Sequence, residues 1–134
     1  MRESADLIAR YYVAFNAKDW AAMLECVTED VRHDVNEGEH RTGKARFGQF
    51  LAHMDKCYDE TLSDIVIMTS ADASRAAAEF MVRGVYKATE HGLPEARGQR
   101  YALHAGAFFE IKGGKIARVT TRYNLKHWIA QVSA

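Results

Sequence analysis

Gln99–Asn124, QRYALHAGAFFEIKGGKIARVTTRYN, decides the fold. β-Branched and aromatic residues run on both sides of Lys112-Gly113-Gly114-Lys115, and a Gly-Gly pair supplies the positive φ angles that a two-residue hairpin turn requires. The stretch therefore predicts two long antiparallel strands. Gly106 falls inside the first, where a missing side chain signals a bulge, a sharp bend or a close backbone approach, so the sheet is expected to curve. Alternate residues of a strand share a face. If Tyr123 points inward, so do Thr121 and Val119, and on the partner strand Ala107, Ala105, Leu103 and Tyr101. His104 and Arg122 then fall on the outer face.

Upstream of this hairpin the period is first helical and then extended. Leu7, Ile8, Tyr11, Tyr12 and Phe15 recur at helical spacing and predict a helix over Ser4–Asn16 with Ser4 as its N-cap. Asp19 caps a shorter helix whose face is Trp20, Met23, Leu24 and Val27. Thr28-Glu29-Asp30 punctuates, Val31–Asn36 forms a short strand, and Glu37–Thr42 is a polar loop. A third helix over Lys44–Tyr58 carries Phe47, Phe50, Leu51, Met54, Cys57 and Tyr58 on one stripe. After Asp59 the segments Leu62–Thr69 and Ser74–Lys87 are strands, because β-branched and aromatic residues outweigh the helix propensity of Ala76-Ala77-Ala78. Thr89–Gly98 is a polar loop, and Leu125, Trp128, Ile129 and Val132 lie on one side of a short terminal helix. Helices first and strands second favour an α+β fold with helices on one face of an antiparallel sheet.

Composition narrows the function classes. A chain of 134 residues is expected to form one domain over 1–134. Lys plus Arg equal Asp plus Glu at 18 each, so no overall field draws the chain to nucleic acid or to an anionic membrane. The apolar runs are far shorter than the ~20 residues of a membrane span, and MRESADLIAR has no signal-like apolar stretch. A cytoplasmic protein is expected. Cys26 and Cys57 show no Cys-x-x-Cys spacing and predict free thiols. The six histidines form no i, i+4 pair on one helix, so neither a metal nor another cofactor is expected.

The order of elements, with Arg10-Tyr11-Tyr12-Val13-Ala14-Phe15-Asn16-Ala17-Lys18-Asp19, Glu29-Asp30, Gly43 and Gly114-Lys115-Ile116, resembles the superfamily of ketosteroid isomerase, nuclear transport factor two and SnoaL-like polyketide cyclases. The resemblance covers nearly the whole chain. His33-Asp34-Val35-Asn36-Glu37-Gly38 and Tyr123-Asn124-Leu125 with Trp128 are similar to the ketosteroid isomerase-related subgroup. The resemblance implies a cystatin-like cone, in which a curved, mostly antiparallel sheet wraps a long helix and two N-terminal helices. It also implies a ligand in the apolar cavity so enclosed, and a homodimer through the outer sheet face.

In the isomerases a carboxylate moves a proton beside a carbonyl while a tyrosine and a protonated acid hold the enolate oxygen, a use of tuned carboxyl groups that is a standard case in enzymology. The resemblance puts Tyr11 at the tyrosine. It puts Val35 at the base when aligned forward from Glu29-Asp30, and Asp34 when aligned back from Gly43. Strand alternation lets either Asp34, or His33 with Val35, face the cavity, but not both sets. The second acid is replaced by Ala107. Losing one donor to a developing oxyanion typically costs about two to three orders of magnitude in rate, which argues against ordinary steroid isomerisation.

The candidate catalytic residues are thus Tyr11, His33 and Asp34. The candidate ligand-binding residues are Phe15, Asn36, Phe47, Phe50, Leu51, Met54, Tyr101, Leu103, Ala105, Ala107, Val119, Thr121 and Tyr123. Two functions remain open: acid–base catalysis on a small apolar carbonyl-like molecule, of isomerase or cyclase type, or a non-catalytic binding or dimeric interaction module that has lost the acid pair. The epoxide-hydrolase branch of the superfamily would need an Asp-Arg-Asp set, which the inward positions do not assemble.

Overall fold

The computed structural model describes residues 2–134. Its elements are α1 (Arg2–Ala17), α2 (Trp20–Glu25), β1 (Val27–Val35), β2 (Arg41–Thr42), α3 (Lys44–Cys57), β3 (Tyr58–Thr69), β4 (Arg75–Tyr86), β5 (Arg100–Lys112), β6 (Lys115–Tyr123) and α4 (Leu125–Val132). The strands form one sheet in the order β2-β1-β6-β5-β4-β3. β1 runs parallel to β6, and every other neighbouring pair is antiparallel. This is the mixed α+β cone with a mostly antiparallel sheet.

The β5–β6 hairpin forms as its sequence dictates: Lys112 pairs with Lys115, and Gly113 and Gly114 both take positive φ, 57° and 75°. Inward parity holds along both strands, with Ala105 opposite Tyr123, Ala107 opposite Thr121 and Phe109 opposite Val119. No bulge occurs at Gly106. The register runs unbroken through it and shifts instead between Glu110 and Ile111.

Four other boundaries differ from the sequence expectation. Ser4 does not cap α1; it lies inside the helix, and its hydroxyl donates to the Ala73 carbonyl at 2.9 Å. Asp19 does cap α2, accepting from the Ala22 amide at 3.1 Å. Thr28-Glu29-Asp30 does not break the chain but belongs to β1, where the pairing with β6 shifts between Val27 and Arg32. Part of the polar loop after β1 adds β2 to the sheet edge through Arg32–Thr42 and His33–Arg41 pairing.

The last difference matters most. α3 stops at Cys57, and β3 begins at Tyr58 instead of Leu62, because Tyr58, Asp59 and Glu60 pair with Tyr86, Val85 and Gly84. Long-range pairing overrides a local sequence that carries two acidic residues and little β propensity. Tyr58 and Leu62 are buried on the inner face, and alternation puts Glu60 between them on that same face.

The core lies between the concave sheet face and the helices. α1 buries Leu7, Ile8, Tyr11, Tyr12 and Ala14, and α3 buries Phe47, Leu51 and Cys57. Asn16 ties the end of α1 to β3 with two bonds, donating to the Leu62 carbonyl at 3.0 Å and accepting from its amide at 2.8 Å. α4 is capped by Asn124, which accepts from the His127 amide. It seats Trp128 against Tyr58, Tyr86 and Tyr101, with ring centroids 5.9, 4.9 and 5.7 Å away.

Candidate functional site

An apolar cavity of about 180 Å³ opens inside the cone. α1 contributes Tyr11 and Phe15, four residues apart on one face, and Lys18 follows just beyond the helix end. α3 supplies Phe47, Phe50, Leu51 and Met54 from its apolar stripe. The sheet closes the opposite wall with Leu103, Ala105, Thr121 and Tyr123, together with Leu62, Phe80 and Val82.

Most of the sequence-derived binding residues therefore meet in one place, and four do not. Tyr101, Ala107 and Val119 are buried on the inner sheet face but pack into the core and do not reach the cavity. Asn36 lies outside it with φ of 50°. Its side chain accepts from the Tyr123 amide at 2.8 Å and its carbonyl accepts from Arg122. The residue thus fixes the strand end and stands outside the cavity.

The choice between His33 and Asp34 is decided by register. His33 pairs with Val119 and Val35 with Thr121, on the cavity side, whereas Asp34 pairs with Thr120 on the other face. Asp34 is nonetheless buried, at 5 % exposure. It accepts from the Thr120 hydroxyl at 2.8 Å and lies 3.6 Å from His40 and 4.0 Å from Arg122. It is a satisfied structural carboxylate, and the expectation that it moves a proton in the cavity is corrected accordingly.

His33 lies between the rings of Phe47 and Phe50, with centroids 4.7 and 4.4 Å away. Its Nδ1 is buried without a hydrogen-bond partner among the described residues. Burial, reinforced by the Arg41 cation, lowers its pKa to about 4 against a weaker opposing effect of Asp34, so the imidazole is neutral at neutral pH. Tyr11 packs edge-to-face on Tyr12 and Phe109. Burial, with Cys26 adding to it, raises its pKa far above the ordinary phenol value, so its hydroxyl stays protonated.

Sequence reasoning missed a polar group in this wall: Glu60, Glu90, Tyr58 and Lys18 also line the cavity. Tyr101 donates to Glu60 Oε2 at 2.5 Å. Glu90 accepts from Tyr58 at 2.5 Å through Oε1 and meets His53 Nε2 at 2.7 Å through Oε2. Glu90 comes from the polar 89–98 loop. The Tyr86 hydroxyl anchors that loop, accepting from the Glu90 amide at 3.0 Å and donating to the Pro94 carbonyl at 2.6 Å. The only local signal was Tyr86 itself, a tyrosine at a strand end beside an acidic loop.

The cavity-lining carboxylates Asp55, Glu60 and Glu90 are joined by no arginine, so an Asp-Arg-Asp set is not assembled there. Among the described residues no group of three His, Cys, Asp or Glu side chains is arranged to hold a metal ion.

Comparison with known proteins agrees with this architecture. The SnoaL-like domain model matches residues 8–119. A proposed polyketide cyclase from Silicibacter sp. TM1040 is 57% identical over 100% of this chain and 98% of its own, with a TM-score of 0.97. One from Pseudomonas putida KT2440 is 56% identical over 96% of this chain and 97% of its own, with a TM-score of 0.95. An NTF2-like protein of unknown function from Burkholderia pseudomallei K96243, 15% identical with all of both chains covered, shares the fold at a TM-score of 0.83. No curated protein sequence matches the chain. A cone-shaped cavity, a family match over most of the length and close structural relatives together establish that the chain belongs to the SnoaL-like domain family.

Proposed function

We propose that this protein binds a small apolar carbonyl compound in the cone and moves a proton on it, in an isomerisation or a ring closure. One observation carries the reading: Tyr11 and His33 bring a protonated phenol and a neutral imidazole into a single apolar cavity. A carbonyl oxygen there gains most from a preorganised donor when it becomes an enolate, since little water competes for the charge. Tyr11 supplies that donor. His33 is too weak a base, at a pKa of about 4, to hold a proton at neutral pH, and serves as a second hydrogen-bonding group. The close relatives described as polyketide cyclases fit the same chemistry, because attack of an enolate carbon on a second carbonyl also begins with proton removal.

The volume limits the ligand. An engineered apolar cavity of roughly 150 Å³ holds benzene, so about 180 Å³ suits a molecule of about one ring. The same reading takes the protein as cytoplasmic, in keeping with two buried free thiols, and as a homodimer through the outer face of its sheet. Among the described residues no helix is long and apolar enough to cross a membrane.

The test is conversion of 3-cyclohexenone to its conjugated isomer, followed by ultraviolet absorbance. Turnover is expected in the wild type, with Tyr11→Phe slower by about 100-fold. Ketone that binds without turnover would favour the binding-module alternative.

A further inference from the structure

A cavity that carries out proton transfer needs a proton carrier, and with Asp34 on the other face and His33 held neutral, Glu60 is the group built for the task. Glu60 stands on β3 opposite Gly84 of β4, which in turn stands opposite Tyr101 of β5. Tyr101 reaches Glu60 across the intervening strand because Gly84 leaves the space open. A Cβ at position 84 would lie 2.6 Å from the Tyr101 ring and hydroxyl and 2.9 Å from Glu60 Cγ. The bond so formed, 2.5 Å to Oε2, fixes the carboxyl group, while Oε1 has no partner among the described residues.

The other acids of the wall are not equivalent. Glu90 has both oxygens engaged, by Tyr58 and His53, and Asp55 is exposed to solvent.

We propose that Glu60 is the acid–base residue of the cavity and that Tyr101, acting through it, is a positioning residue. The proposal rests on the acid–base reading of the cone and names its proton carrier. Glu60 Oε1 takes a proton from the carbon next to the ligand carbonyl. The C–H electron pair becomes the C=C bond of the enolate, and the carbonyl π pair moves onto oxygen. Returning the proton to another carbon completes an isomerisation. Delivering it to the oxygen of a second carbonyl, once the enolate carbon has attacked that group, completes a ring closure. No oxidant, reductant or metal enters either balance.

The charged and titratable groups around Glu60 suit this role. Burial pushes its carboxyl above the usual carboxylate range, with Asp59 and Glu90 adding to it, against the Tyr101 hydrogen bond and the Lys18 ammonium. Tyr58 and Tyr123 stay neutral beside it, the latter with its pKa pushed up to about 12 chiefly by burial. A raised value brings a carboxyl closer to the operating pH, where proton transfer in both directions is efficient.

Deuterium uptake at the α-carbons of cyclohexanone in D₂O, followed by proton NMR, tests this without knowledge of the natural ligand. Saturation-transfer NMR reports binding of the same ketone. The wild type is expected to accelerate exchange, and Glu60→Gln to slow it by about 100-fold or more with binding retained. Glu60→Asp, which keeps a carboxyl, should retain more exchange than Gln; equal loss in both overturns the assignment. In Tyr101→Phe the lost donor destabilises the carboxylate, so the acidic limb of the pH–rate profile moves to higher pH. A uniform loss at every pH would overturn its positioning role. Exchange in Glu60→Gln equal to wild type removes Glu60 but leaves the acid–base reading standing. Absence of exchange in the wild type, with the ketone bound, removes both.

Discussion

At the scale of single residues, His33 links the cavity to stability. Its folded pKa, about 4, lies below the ordinary value of about 6.5. Between those values the unfolded chain binds the proton and the folded chain does not, so stability rises with pH across that window. The contribution is complete above about pH 6.5 and is lost as pH falls toward 4. From this residue the protein should be about 2 kcal/mol less stable at pH 5 than at pH 7. His33→Leu should remove that part of the slope, as urea unfolding at the two pH values would read. An unchanged slope would mean that the imidazole protonates in place. Glu60 acts with the opposite sign: its raised pKa favours the folded state at low pH, and that benefit fades as pH climbs through the folded value. Comparing wild type with His33→Leu isolates the histidine. The sequence placed His33 and Asp34 on opposite faces without choosing between them, since alternation fixes relative but not absolute orientation.

At the scale of elements, the three strands β3, β4 and β5 act as one frame for the carboxyl group. Gly84 is the narrow point. Gly84→Ala should push the Tyr101 ring from its place and break its bond to Glu60, because the new methyl would sit 2.6 Å from that ring. The expected cost is about 1–3 kcal/mol from overpacking, with deuterium exchange falling as in Tyr101→Phe and the acidic limb moving the same way. A crystal structure of the variant with Tyr101 still bonded to Glu60 would refute the steric argument. This frame was hidden in the sequence for a local reason. Asp59, Glu60 and Thr61 resemble a polar break after a helix, and only pairing with β4, which sets Glu60 opposite Gly84 far along the chain, makes them a strand. The β5–β6 hairpin was legible because turn and strands lie within one short stretch, where a Gly-Gly pair and alternating side chains agree.

At the scale of the molecule, the convex face of the sheet gathers the exposed side chains of Val66, Met68 and Phe108. Met68, Ala77, Phe108 and Thr120 stand opposite one another across four strands. Phe108 is 50 % exposed and Met68 48 %, with Val66 at 49 % in the next row. Such an apolar patch is the kind of surface that a second copy covers. Phe108→Lys should convert the proposed dimer to a monomer in sedimentation or scattering while leaving the inner face intact; a wild type that is already monomeric at high concentration would remove the proposal.

The sequence by itself determined the α+β order, the curved hairpin, the inward parity of β5 and β6 and the aromatic stripe of α3, because each depends on period or turn chemistry carried by neighbouring residues. Only the tertiary structure decided that His33 and not Asp34 faces the cavity, that Tyr101 and Ala107 stop short of it, and that Glu60 stands in its wall. Those facts depend on which strand lies beside which and in what register, and register is set by the burial of whole faces and the space left by a residue such as Gly84, not by the local run of amino acids.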